Sequence, residues 1–183
     1  MPSCPGLSRA STFFLPDATE NVDGRDKPGH DGPSLSTLFS LRPYRAEDED
    51  AAIALWQKTW QQSYPSIDFA ARVPWWRERW RGELVPNAAI IVAEQADALV
   101  GFVTIDAKGY LDQLVVAPDC WGSALGDLLV NEAKRLSPDR IALLVNTDNV
   151  RAIRFYERNG FVHAGEDVNP TSGRPVARME WKG

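Results

Sequence analysis

Residues 149–161 read NVRAIRFYERNGF, and residues 111–126, a little upstream, read LDQLVVAPDCWGSALG. The first stretch has the form of a capped helix. Asn149 is a good N-cap, because its side-chain oxygen can accept one of the orphan amides of a first helical turn. Gly160 is a good residue just past the end. Between them Ala152, Phe155, Tyr156 and Asn159 fall on one face. The second stretch opens as a strand, Tyr110–Val116, which Pro118 ends. Small residues then lead into a helix over Ser123–Leu136, with Leu125, Leu128, Leu129, Ala133 and Leu136 on one stripe. Ile141–Val145 is a continuous apolar run of strand length, the pattern of a strand covered on both faces. Strand, helix and strand in this order form a crossover, so the two strands are expected to be parallel neighbours joined right-handedly.

Working outward, Phe39–Tyr44 reads as a short strand. A helix follows the acidic run Glu47–Asp50, which suits the positive end of a helix dipole, and Ala52, Leu55, Trp56, Thr59 and Trp60 recur at helical spacing. A second helical stretch is expected over Asp68–Glu83. Ala89–Glu94 and Leu99–Asp106 read as strands joined by a tight turn, and Phe161–Glu166 with Pro175–Trp181 as a hairpin across Asn169–Arg174. Short turns of this kind favour antiparallel pairing. The fold class is therefore α/β: a mixed, mostly antiparallel sheet with helices on both faces.

The composition bounds the rest. The 183 residues suffice for one ordinary domain, and 44% hydrophobic residues with 7 Trp supply a core of the usual size. Residues 1–39 differ in character from the remainder of the chain. Their segment Val22–Gly32 is charged and turn-rich, so it buries too little apolar surface to offset the entropy of ordering. It also resembles peptides that arise when a bacterial intergenic repeat is translated. We expect 1–39 to be a disordered leader, with a true start near residue 38, and 40–183 to be the domain. Phe13-Phe14-Leu15 stops at Pro16, too short for a signal peptide, and no apolar run approaches the roughly 18 residues that span a bilayer. Cys4 and Cys120 lie in unrelated settings, with no CxxC or His/Cys spacing for a metal. Cytoplasmic residence is the simplest reading. The formal net charge of −5 argues against nucleic acid and suits a cationic amine.

Read alone, the turn Trp121–Gly126 is compatible with a tight turn without a ligand, or with an anion held by the free amides of a helix start. Read alone, the Tyr156 face is ordinary core. Together the two segments resemble the GNAT acetyltransferase superfamily, whose pattern is V-x-P-x-x-R-G-x-G-x-G followed by N-x-x-A-x-x-F-Y-x-x-x-G-F. The second half matches at each of those positions, and the order of elements fits over residues 40–182.

The resemblance implies that acetyl-CoA is the co-substrate and lies between two splayed parallel strands, here Tyr110–Val116 and Ile141–Val145. It implies that the pantetheine pairs with the backbone of Leu114, Val115 and Val116. It places the pyrophosphate on the amides of Trp121, Gly122, Ser123, Ala124, Leu125 and Gly126, with Asn149 and Phe155 beside the pantetheine arm. Tyr156 would protonate the departing thiolate, as an O–H donor lets sulfur leave without a bare charge. The turn departs from the pattern at Trp121, where Arg or Gln is usual, and at Ala124, where Gly is usual. If position 124 needs a positive φ, alanine is strained there.

The acceptor amine must lose a proton to attack, which calls for a base or a water path. The glutamate many relatives carry is missing: residues 142–146 hold no carboxylate. Asp112 is the nearest candidate, with Asp106 and His163 weaker. The acceptor site in such folds is shaped by the first two helices. Trp56 and Trp60 read as core, whereas Tyr64, Phe69, Trp75 and Trp76 are less periodic and are expected to face a ligand. The function implied is N-acetyl transfer to a primary amine of a small molecule or peptide. No nucleic-acid or membrane partner is expected, and a homodimer is common in the superfamily. The alternative, suggested by the missing glutamate and altered turn, is a non-catalytic acyl-CoA-binding module.

Overall fold

A computed structural model describes residues 38–169 and 173–183. The expected leader, 1–39, lies outside the described residues apart from Leu38 and Phe39. In chain order the domain comprises β1 (Ser40–Pro43), α1 (Glu49–Ser63), α2 (Val73–Arg79), β2 (Ala88–Gln95), β3 (Ala98–Asp106), β4 (Leu111–Val116), α3 (Leu125–Leu136), β5 (Arg140–Asn146), α4 (Val150–Arg158), β6 (Val162–Val168) and β7 (Pro175–Lys182).

The sheet differs from the single mixed sheet expected. Two antiparallel sheets form, one ordered β1-β2-β3-β4 and the other β5-β7-β6. They meet at one parallel bridge, Tyr110 to Ala142, beside which the Ala142 amide donates to the Gly109 carbonyl at 2.9 Å. Among the described residues no ladder joins β4 to β5 beyond that point. The expected parallel neighbours are therefore joined at their base and part above it.

A local cause lies in β4. Thr104 of β3 faces Gln113 and Ile105 faces Leu111, so Asp112 is an extra residue, a β-bulge. A bulge bends its strand and increases its twist, which carries the rest of β4 away from β5. Gly109 makes the approach at the base. It has φ +77, and a Cβ there would stand 2.3 Å from the Arg140 carbonyl oxygen. Gly109→Ala is expected to cost about 1–2 kcal/mol for the left-handed backbone alone, plus the clash. Urea titration would read this as a lower midpoint, and an unchanged midpoint would contradict the closeness of the two strands.

The helices cover both faces. In α3 the fully buried residues are Leu125, Gly126, Leu129, Val130 and Ala133, whereas Leu136 of the expected stripe is exposed. The α4 cap is as expected: Asn149 Oδ1 accepts the Ala152 amide at 3.0 Å, and the Phe161 amide closes on the Tyr156 carbonyl at 2.9 Å.

The expected helix over Asp68–Glu83 is only partly regular. Helix α2 begins at Val73 because Pro74 lacks an N–H and is tolerated only in a first turn. After Arg79 the chain widens into a π turn over Trp80–Leu84, closed by the Val85 amide on the Trp80 carbonyl. Trp80 is fully buried there, its ring edge-on to Phe102 at 5.3 Å, and its indole N–H donates to the Tyr44 hydroxyl at 3.2 Å. Trp56 and Trp76 stack at 4.6 Å, with Phe69 edge-on to Trp56. No helix among the described residues is long and apolar enough to cross a membrane.

Candidate active site

A cavity of about 510 Å³ is bordered by the end of β4, the turn after it and α4. Val116, Gly122, Ser123, Ala124, Gly126 and Phe155, which the family resemblance assigns to the cofactor, line it together with Cys120 and Asp127. Leu114, Val115 and Val116 are buried, so what they offer a ligand is backbone. The Leu125 side chain is in the core, and its amide meets Ser123 Oγ at 3.3 Å.

Both departures in the turn have a structural resolution. Ala124 has φ −71 and ψ −1, an ordinary right-handed conformation, and serves as the N-cap position of α3, so its methyl adds no backbone strain. The positive φ falls instead on Gly122 (+82), where a Cβ would meet open space. The turn thus keeps room for a bulky anion at the positive end of a twelve-residue helix. Trp121 turns away from the cavity: its indole N–H donates to the Val116 carbonyl at 2.9 Å.

The cationic groups come from elsewhere. Arg151, Arg154 and Arg158 of α4 line the same cavity. Sequence reasoning passed over them, although their i, i+3, i+7 spacing was visible and puts them on one face of the helix. Arg158 stacks over Phe155 at 5.4 Å and lies 3.4 Å from Asp127. Arg154 is exposed at the rim. Guanidinium groups pair with phosphate through parallel N–H donors, so this face supplies the charge the turn lacks. The residues present therefore fit a phosphorylated ligand.

Tyr156, on the same helix, is buried, with Phe155 and Phe161 each edge-on to its ring at 5.3 Å. Burial first, and Tyr110 second, push its phenol well above the ordinary range, so it holds its proton at neutral pH. Cys120 is buried as well. Burial first, then Asp119, pushes its thiol up, which leaves it a poor nucleophile.

The acceptor side departs most from expectation. Phe69 and Trp76 are 3% and 2% exposed and belong to the aromatic core, so they do not present their faces to a ligand. Trp75 is on the outer surface. Tyr64 is half-buried beside the end of β5: Asn146 Nδ2 donates to its hydroxyl at 3.2 Å, and the Arg174 guanidinium lies 5.2 Å above its ring.

Asp112 is not an open carboxylate. Arg79 Nη2 donates to its Oδ2 at 2.5 Å, and Gln113 Nε2 to its Oδ1 at 2.8 Å, all three side chains being buried. Burial works against the Arg79 charge, but Asp112, with Glu83 and Tyr110 adding to it, more than offsets burial and holds the guanidinium above its ordinary range. Asp106 caps its turn, accepting the amides of Lys108 and Tyr110 at 2.8 Å each. His163 is exposed on β6.

Two sheets that part at a bulge, with a helix start and a tyrosine-bearing helix bordering a cavity at the end of β4, fit the fold of the acyl-CoA-dependent N-acyltransferases. Comparison with known proteins bears this out. The acetyltransferase (GNAT) family profile matches residues 49–161, and the chain belongs to that family. It is 28% identical over 139 residues to the peptidyl-lysine N-acetyltransferase YjaB of Salmonella typhimurium, a span covering 75% of this chain and 93% of that protein. It is 30% identical over 155 residues to the mycothiol acetyltransferase of Kineococcus radiotolerans, covering 77% of this chain and 48% of that one. Among solved structures, apo YjaB from Escherichia coli superposes with a TM-score of 0.64 at 26% identity, covering 80% of this chain and 99% of that one. The PaiA N-acetyltransferase from Thermoplasma acidophilum, solved with coenzyme A, shares the fold with a TM-score of 0.63 at 20% identity, covering 79% and 99%. The protein is an acetyl-CoA-dependent N-acetyltransferase, with acetyl-CoA as co-substrate.

Proposed function

We propose that the enzyme moves an acetyl group from acetyl-CoA directly to a primary amine, and that a peptide lysine is the favoured acceptor. The observation that carries the lysine reading is the similarity to a peptidyl-lysine N-acetyltransferase over almost that protein's whole length. The formal charge of −5 favours approach of a cation. With acetyl-CoA as co-substrate, the site of action is the cytoplasm.

Pantetheine lies along Leu114–Val116, and the phosphates rest between the Gly122–Gly126 turn and the α4 arginines, with Asn149 and Phe155 beside the arm. Tyr156 gives the departing sulfur its proton. Direct transfer is supported by the raised Cys120 thiol, which offers no acyl-carrying nucleophile. Asp112 acts by holding the bulge against Arg79, and the amine loses its proton to solvent at the mouth beside Tyr64. Phe69 and Trp76 shape that mouth only from behind, through the core.

A panel of amines tests the acceptor: a lysine peptide, a polyamine, free amino acids and an aminoglycoside, with release of CoA thiol as the readout. The lysine peptide is expected to give the highest kcat/KM. Rapid turnover of a small amine with none of the peptide would overturn the lysine reading and leave the acetyltransferase standing.

The α4 face makes a separate prediction. Arg154→Glu should weaken CoA about tenfold, equivalent to ~1.4 kcal/mol, and flatten the salt dependence of binding, because one phosphate contact becomes repulsive. Calorimetric titration at two ionic strengths reads both. Wild-type affinity in the variant would place the phosphates away from α4.

A further inference from the structure

The cavity after β4 presents its three arginines in unlike surroundings. Arg151, Arg154 and Arg158 follow one another along α4 and all line it. At 1.5 Å per residue the row spans about 10 Å of the helix axis. A guanidinium pairs with one phosphate through two parallel N–H donors, so a row of this length has room for more than one phosphate. The turn across the cavity takes an anion by other means. Ala124, at the N-cap position of α3, has no side-chain oxygen to cap with, so first-turn amides remain for a ligand.

Arg158 shares its charge with a carboxylate. Asp127, in the first turn of α3, has Oδ1 at 3.4 Å from Arg158 Nη2, and the same oxygen accepts Asn159 Nδ2 at 2.9 Å. Asp127 also lines the cavity, so a phosphate brought to Arg158 meets that carboxylate. Arg151 belongs to the first turn of α4, and its Nη1 is buried. Arg154 is exposed, and among the described residues its guanidinium makes no hydrogen bond or ion pair. The phosphates of CoA differ as well. Each phosphorus of the pyrophosphate bridge carries one negative charge, whereas the 3′-phosphate of the ribose is a monoester with about −1.5 to −2 at neutral pH. The monoester gains most from a guanidinium that no carboxylate faces, and loses most beside Asp127.

We propose that Arg154 reads the 3′-phosphate of the co-substrate, that Asp127 keeps this group off Arg158, and that the enzyme thereby selects among acetyl donors. The donor taken is acetyl-CoA itself. Donors that carry the pantetheine arm without the 3′-phosphate, such as acetyl-dephospho-CoA or a protein-borne phosphopantetheine thioester, are disfavoured. The inference rests on the cavity holding CoA. The pantetheine and its pyrophosphate are the general handle, held by β4 and the turn. The 3′-phosphate is the selective one, held by α4.

Calorimetric titration with CoA and with dephospho-CoA, which differ by that phosphate alone, tests the assignment on the wild-type enzyme and on two variants. The wild-type enzyme should bind CoA about fivefold more tightly than dephospho-CoA, the upper end for an exposed charge pair. The gap should narrow at high salt. In Arg154→Gln it should close, with CoA falling to the affinity of dephospho-CoA and dephospho-CoA little changed. In Asp127→Asn it should widen, because Arg158 then becomes available to the monoester. Equal wild-type affinities for the two ligands would overturn the selection and leave the CoA site standing, and that comparison needs no variant to fold. A loss shared equally by both ligands in Arg154→Gln would put Arg154 on the pyrophosphate and overturn its assignment. An unchanged gap in Asp127→Asn would overturn the part given to Asp127. Binding of neither ligand to the wild-type enzyme would overturn the CoA reading of the cavity itself.

Discussion

Tyr156→Phe lowers turnover about a hundredfold, within the range that a positioned general acid contributes, and leaves CoA affinity unchanged. The cause lies in the environment of the phenol. Helix α4 is fixed at its start by the Asn149 cap and at its end by the Phe161 closure, so the Tyr156 side chain has one place to go. Phe155 and Phe161 hem the ring edge-on. The substitution removes one oxygen and no packing, so the fold should survive. Because burial pushes the phenol up, Tyr156 stays protonated through neutrality. Its loss as an acid should not appear in the pH–rate profile below about pH 10, the ordinary tyrosine range. The linkage to stability has the same sign. A group whose folded-state pKa is raised contributes stability that is present below its unfolded value and is lost as pH rises beyond it. Initial rates and CoA binding on the same preparation check the first expectation. Full turnover in the variant would remove Tyr156 from the chemistry.

Asp112→Ala should cost about 3–5 kcal/mol, the usual penalty for leaving one partner of a buried ion pair alone. Arg79 would keep Glu83, at 3.3 Å from its Nε, as its carboxylate partner and the Trp76 ring beside it. For a domain of this size the melting temperature should fall by about 10 °C. The double replacement Arg79→Met with Asp112→Leu should recover most of that loss, since apolar residues of similar volume substitute well for a buried pair. A thermal melt of the three variants is sufficient. The opposite pattern would return Asp112 to the role of base: a stable Asp112→Asn whose pH–rate profile loses its acidic limb.

Those two residues also show what a sequence carries and what it hides. The helix that carries Tyr156 was legible because helix, cap and face are local, and their spacing is set by the helical repeat; the role of the tyrosine came only from the family resemblance. The turn and helix start beside the cavity were legible for the same reason, since they are contiguous in the chain. Asp112 was misleading because its partner, Arg79, is 33 residues away on a helix whose end is irregular. Pro74 delays that helix and the π turn follows it, so the periodicity that would have pointed Phe69 and Trp76 into the core is broken. Ala124 shows the converse. Its pattern suggested strain, and the backbone places the positive φ on Gly122 instead. The α4 arginines were present in the sequence at readable spacing but acquire meaning only when the turn is seen to face them. The parting of β4 from β5 depends on a bulge whose register strand alternation alone does not reveal.

On this reading of the site, acetyl-CoA occupies the gap between β4 and β5 with its sulfur at Tyr156. A crystal structure of the complex with CoA would decide the matter. The pantetheine should run along Leu114–Val116, the phosphates should sit between Gly122 and the α4 arginines, and the sulfur should lie within hydrogen-bond reach of Tyr156 Oη. A sulfur held elsewhere, with Tyr156 still enclosed by Phe155 and Phe161, would contradict it.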